Sequence, residues 1–259
     1  MKALTYLELQ TNAPSIFAPK GADKMSSRYG FIPTINVIDG LRNDGFHPVQ
    51  AFQVKARKLD RRPHSKHVIR FRHETTIDQK GVVPEIVLIN SHDGSTAYQL
   101  RAGIFRMVCA NGLIVGSDTF CRRIRHNANA ISHVVQAANE LIEIVPLSVR
   151  RAQEWQDIEL NQEEKLSFAN QAALLKWDGA TIPVQTDTLL APRRSADNKN
   201  DLWTTFNVIQ ENLLRGGIQY VSEQGQRRTT RPINSVYDNV RINTALWNIT
   251  ENMAQLIAK

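Results

Sequence analysis

The chain has 259 residues, of which 42% are hydrophobic and 22% charged, so it can bury a substantial core and is not a disordered tail. With Gly 13, Pro 10 and Cys 2, it is neither a collagen-like fibre nor a small disulfide scaffold. Lys and Arg number 32 against 25 Asp and Glu, a net +7 that favours a polyanionic partner.

Taken in chain order, residues 1–48 read as short elements and turns packed on the core. Residues 49–125 read as a basic antiparallel sheet, starting with a strand over 50–58. Residues 66–73 alternate, with Ile69 and Phe71 on one face and Arg70 and Arg72 on the other. An apolar strand over 85–90 runs into Ser91-His92-Asp93-Gly94, a turn because Asp-Gly tolerates positive φ. Residues 95–101 and 103–109 continue the sheet, Asn111-Gly112 turns the chain again, and 113–115 starts a short strand.

Residues 126–259 read as a helical half continuous with the sheet. Ile131, Val134, Val135, Ala138, Leu141 and Ile142 recur at helical spacing over 130–155, with Pro146 expected to kink or divide the helix. Asn161 and Glu164 form a capping box for a helix to about 177. After a polar loop over 183–200, Asp201 opens a helix with Leu202, Phe206, Ile209 and Leu213 on one stripe, closed by Gly216-Gly217. A flexible basic loop over 223–231 and an amphipathic helix over 243–258 complete an α+β chain: a central antiparallel β-sheet with hairpins, then a helical second half.

The charge is local. Residues 49–125 carry 14 basic and 6 acidic groups, a net +8, whereas 126–177 carry 4 and 7, a net −3. Lys55, Arg57, Lys58, Arg61, Arg62, Lys66, Arg70 and Arg72 fall within 18 residues. On paired strands they would make a cationic ladder with steps of about 7 Å, suited to phosphates. Arg70 and Arg72, fixed on one strand face, are expected to contribute more per charge than Arg61 and Arg62. Arg122, Arg123 and Arg125 precede a helix start, where cations are unfavourable unless an anion binds there. Phe52, Phe71, Tyr98 and Phe105 are candidate stacking aromatics, most of them expected to pack in the core.

Catalytic signals are weak: HExxH, GxSxG and GxxxxGK[ST] are all missing. His64-x-x-His67 sits among cations without a third ligand. His92 and Asp93 read as turn builders, and Glu154, Asp157, Glu159, Glu163 and Glu164 as a solvated helix face. No catalytic, metal or cofactor residue is expected. Cys109 and Cys121 read as reduced thiols of a cytoplasmic protein with neither a signal peptide nor a membrane span.

The blocks Asn90-Ser91-His92-Asp93-Gly94-Ser95 and Arg106-Met107-Val108-Cys109-Ala110-Asn111-Gly112-Leu113, with residues 201–212 and Arg215-Gly216-Gly217 later, resemble the phage/plasmid-like proteins that share a domain of unknown function. That resemblance implies a mobile-element setting and assigns no catalytic residue. A basic sheet followed by a long helix also resembles, at the level of fold alone, the single-strand annealing proteins. These observations lead to the expectation of a non-enzymatic, homo-oligomeric binder of nucleic acid, preferably single-stranded DNA, that protects or anneals strands. The alternative expectation is a mobile-element inhibitor that binds a host defence protein. A metal-dependent nuclease is the third reading.

Overall fold

A computed structural model describes residues 2–25, 29–54, 59–76, 82–106, 112–114, 120–177 and 181–258. It is α+β, with two compact units, residues 1–147 and 148–259. The division falls inside a helix and beside Pro146, rather than at the end of the sheet.

In the first unit, helices α1 (Tyr6–Asn12) and α2 (Thr34–Asn43) precede the strands. Val37, Ile38 and Leu41 of α2 are buried at helical spacing. The strands are β1 (Phe46–Gln53), β2 (His67–His73), β3 (Val82–Asn90), β4 (Tyr98–Arg106), β5 (Gly112–Ile114) and β6 (Cys121–Ile124). Among the described residues they form a six-stranded sheet in the order β1-β2-β3-β4-β5, with β6 also on β4. Every pairing is antiparallel. The two segments expected over 95–101 and 103–109 join in one strand over 98–106, β4, and residues 107–109 lie outside the described residues.

The alternation read in β2 holds. Ile69 and Phe71 are buried, but so is Arg70, at 8% exposure, because the central strands are covered on both faces. One face is apolar, with Ile69, Phe71, Ile86, Leu88 and Leu100. The other carries Arg70, Glu85 and Arg101, all buried.

Helix α3 (Ala130–Glu154) runs continuously through Pro146, which removes one backbone donor without ending it. In the second unit α4 (Gln162–Lys176) begins at the expected box: Asn161 Oδ1 accepts from Glu164 N–H, and Glu164 Oε2 accepts from Asn161 N–H. Helix α5 (Leu202–Arg215) is buried from Leu202 to Leu214, and Phe206 and Trp203 stack beside Trp155 and Trp247. Lys176 donates to the Leu213 and Arg231 carbonyls. Burial pushes its pKa down to about 8. The segment expected to be a flexible loop is a hairpin, β7 (Gln219–Val221) with β8 (Arg227–Thr229), ahead of α6 (Val236–Ile257). No helix among the described residues is long and apolar enough to cross a membrane.

Candidate nucleic-acid interface

The antiparallel register fixes which residues meet at each end of the sheet. Gln53 lies opposite His67, His67 opposite Asn90, Ile89 opposite Gln99 and Tyr98 opposite Ile124. The connections that leave this end are therefore the 3-10 turn Leu59–His64 between β1 and β2, the His92-Asp93-Gly94 turn between β3 and β4, and the segment after β6. Arg61, Arg62, Lys66, Arg123 and Arg125 converge here from two stretches of chain about sixty residues apart. Lys20 and Lys24 join them, since Ala22 N–H donates to the His92 carbonyl and Lys24 acts on Asp93. From β1 to β6 is four strand spacings, about 19 Å.

Not every expected cation belongs to this rim. Lys55, Arg57 and Lys58 lie outside the described residues. Arg70 and Arg72 were expected to contribute more per charge than Arg61 and Arg62, but both are engaged within the fold. Their Nε groups both donate to Glu85, Arg72 at 2.7 Å, and Arg70 Nη1 also donates to Gln50 Oε1. Glu85 is 2% exposed. These two arginines neutralise an internal carboxylate, whereas Arg61, Arg62, Arg123 and Arg125 stand exposed. Arg122 donates to Glu140 and to the Cys121 carbonyl, so it too is engaged within the fold. Of the aromatics, Phe71 and Tyr98 are core residues and Phe52 is 43% exposed. The Phe105 side chain and Cys109 lie outside the described set. Cys121 is a half-buried free thiol.

Beneath the rim lies a polar cluster that the sequence did not reveal. His67 Nδ1 meets the Ser65 carbonyl at 3.1 Å and Ser15 Oγ at 2.9 Å. A carbonyl only accepts, so Nδ1 carries the proton and Nε2 accepts from Thr34 Oγ1 at 2.9 Å. The Thr34 hydroxyl has then spent its one proton. It accepts from Asn90 Nδ2 and from His92 Nε2, each at 2.9 Å. His92 is thereby fixed as the Nε2–H tautomer. Its buried Nδ1 is a lone-pair acceptor with no donor among the described residues.

Burial holds His67 near pKa 4. Burial and the neighbouring His67, His126 and His64 hold His92 near 3. His126 packs between Tyr29 and Tyr98, with ring centroids 4.7 and 4.4 Å away, and burial pushes its pKa down. Both nitrogens of His67 are engaged, and no group of three or more His, Cys, Asp or Glu among the described residues could hold a metal ion.

The turn above this cluster has the expected form. Asp93 Oδ1 accepts from Ser95 N–H at 2.9 Å and from Ser91 Oγ at 2.8 Å. Gly94 has φ +76, and a methyl group there would come within 2.5 Å of Met25 Cε. Burial raises the Asp93 carboxyl, but the hydrogen bonds from Ser95 and Ser91, with Lys24 nearby, outweigh it and hold the group below its usual range. Asp93→Ala is expected to lower stability by about 1 kcal/mol in urea unfolding. An unchanged midpoint would show that the turn does not need this carboxylate.

Three comparisons bear on this chain. A family profile described as "Domain of unknown function (DUF932)" matches residues 23–247. The chain is 38% identical to UPF0380 protein YafZ of Escherichia coli (strain K12) over 250 residues, covering 96% of this chain and 91% of that protein. It is 37% identical to UPF0380 protein YfjQ of the same strain over 252 residues, covering 97% and 92%. No solved structure matches the chain.

Proposed function

This chain belongs to the DUF932 family, and we propose that it binds nucleic acid without catalysing a reaction, preferring single-stranded DNA, in the service of a phage or plasmid. The observation that carries the proposal is the convergence of Arg61, Arg62, Lys66, Arg123 and Arg125 on one end of the sheet. Of the carboxylates described nearby, Asp23 is paired with Lys20 at 2.7 Å and Asp93 is tied into its turn. With Lys20 offsetting Asp23 and Lys24 near the ionised Asp93, the charges of Arg61, Arg62, Lys66, Arg123 and Arg125 give the rim a positive field, and its length of about 19 Å can lie along several phosphates. Phe52, exposed at the same end of β1, offers an aromatic face to an unpaired base.

Binding should be sequence-tolerant and electrostatic. If six or more phosphates are contacted, affinity for single-stranded DNA will fall by orders of magnitude between about 50 and 200 mM salt. The double reversals Arg61→Glu with Arg62→Glu, and Arg123→Glu with Arg125→Glu, should each weaken binding at least ~10-fold. Arg227→Glu with Arg228→Glu, on the exposed strand β8, makes the same change in net charge and should cost much less. Gel shifts with single-stranded DNA, duplex DNA and RNA measure all of this. Equal losses for the three double variants would leave only global charge. No shift at about 50 mM salt would remove the proposal in favour of a host-protein partner.

A further inference from the structure

Beside the basic rim lies a groove of about 700 Å³, between the segment that follows α1 and the β1–β2 connection. Its apolar walls are one aromatic ring, Phe17, and the saturated rings of Pro14, Pro19 and Pro63, and its polar groups are Gln10, Gln53 and Arg62. The volume falls within the range of pockets that enclose a small organic ligand, roughly 300–1,000 Å³.

Its polar groups narrow the choice of ligand. Ser15 N–H donates to Gln53 Oε1 at 2.8 Å, which engages the carboxamide oxygen and leaves both hydrogens of the NH₂ to donate. The Arg62 guanidinium only donates, and neither it nor the Gln10 carboxamide is bonded to another described residue. The groove thus sets one aromatic ring, Phe17, beside donors from Arg62 and Gln53 and a carboxamide, Gln10, that can donate or accept. Arg62 belongs both to this groove and to the rim, so a polyanion lying along the rim reaches the groove without a break.

We infer that this groove takes one unpaired nucleotide of the bound strand, its base against Phe17, a base carbonyl at Gln53 and the adjoining phosphate at Arg62. The inference rests on the nucleic-acid reading above and adds to it the source of a preference for single strands. Every base has a face that can stack on an aromatic ring, but a duplex keeps its bases paired and stacked and must pay to release one. A proline-lined groove also suits an extended peptide. The cations continuous with it favour the polyanion.

The test measures binding of an oligothymidine and of a duplex by fluorescence anisotropy, with thermal melting of each variant as the control for folding. Phe17→Ala should weaken oligothymidine binding about tenfold and leave duplex affinity, the salt slope and the melting temperature nearly unchanged. Gln10→Glu, at an exposed position on the lip, should weaken the same binding by repelling the phosphate, and it keeps the test open if Phe17→Ala folds poorly. A 2-aminopurine probe in the strand should change its fluorescence on binding the wild-type protein and change less with Phe17→Ala. If wild-type protein binds the oligonucleotide and both variants match it, the groove inference fails and the interface stands. If wild-type protein binds no oligonucleotide, the interface reading fails and the groove inference with it.

Discussion

Lowering the pH from about 7 to about 4.5 will destabilise this protein by on the order of 5 kcal/mol, a loss comparable with the whole stability of many domains. The cause is the pair His67 and His92, both 0% exposed, with pKa values held down to about 4 and about 3. In the unfolded chain each histidine titrates near 6.5. As the pH falls through 6.5 the unfolded state takes up two protons that the native state refuses. Stability is therefore fully present above about pH 6.5 and declines towards pH 4, by up to about 1.4 kcal/mol per pH unit for each histidine. The hydrogen-bond chain adds a structural reason. Protonating His67 Nε2 would turn two donors, that nitrogen and Thr34 Oγ1, towards each other. Urea midpoints measured between about pH 7 and 4.5 test this, and His92→Asn should flatten the profile. Equal midpoints at pH 7 and 5 would show that these histidines are not buried as neutral groups.

Glu85→Gln is expected to cost 3–5 kcal/mol or so, the scale of removing one partner from a buried ion pair. Glu85 receives Arg70 and Arg72 on its two carboxylate oxygens. Without its charge, Arg70 at 8% exposure keeps a full positive charge beside Gln50 in a region largely shielded from water. Reversing Arg70 and Arg72 to Glu would crowd three carboxylates together and should be worse still. Such a double variant therefore reports on folding and not on nucleic-acid contact. Denaturant unfolding of Glu85→Gln, with Glu74→Gln on the exposed loop as a comparison, measures the effect. A midpoint unchanged from wild type would mean that Arg70 and Arg72 do not depend on this carboxylate.

The sequence by itself determined what is local. Asn161 and Glu164 announced the start of α4 three residues apart. Asp93 and Gly94 announced a tight turn, and Gly216, with φ +63, the end of α5. The period-2 alternation of β2 and the 3.6-period stripe of α3 gave the α+β order. Each signal comes from residues within a turn or two of each other, so it can be read without knowing the fold. Helix α2 was also within reach, because Val37, Ile38 and Leu41 carry a helix period. The strands β7 and β8 were not, since three residues are too short to show a period.

Only the tertiary structure decided which cations are free to meet a partner. Arg70 and Arg61 look alike along the chain. They differ because the register sets Arg70 opposite Val87, with Glu85 two residues along the same face of β3 and within reach of its guanidinium, while Arg61 lies exposed on a turn. The cluster of His67, Thr34, Asn90 and His92 joins residues 33, 56 and 58 positions apart, and Lys20 and Lys24 reach the rim only because the N-terminal segment folds back to His92. Spacing along a strand tells which side a residue faces. Whether that side holds a carboxylate, a hydroxyl or water depends on strand pairing and on the segments laid over the sheet, and those are set by contacts between residues far apart in the chain.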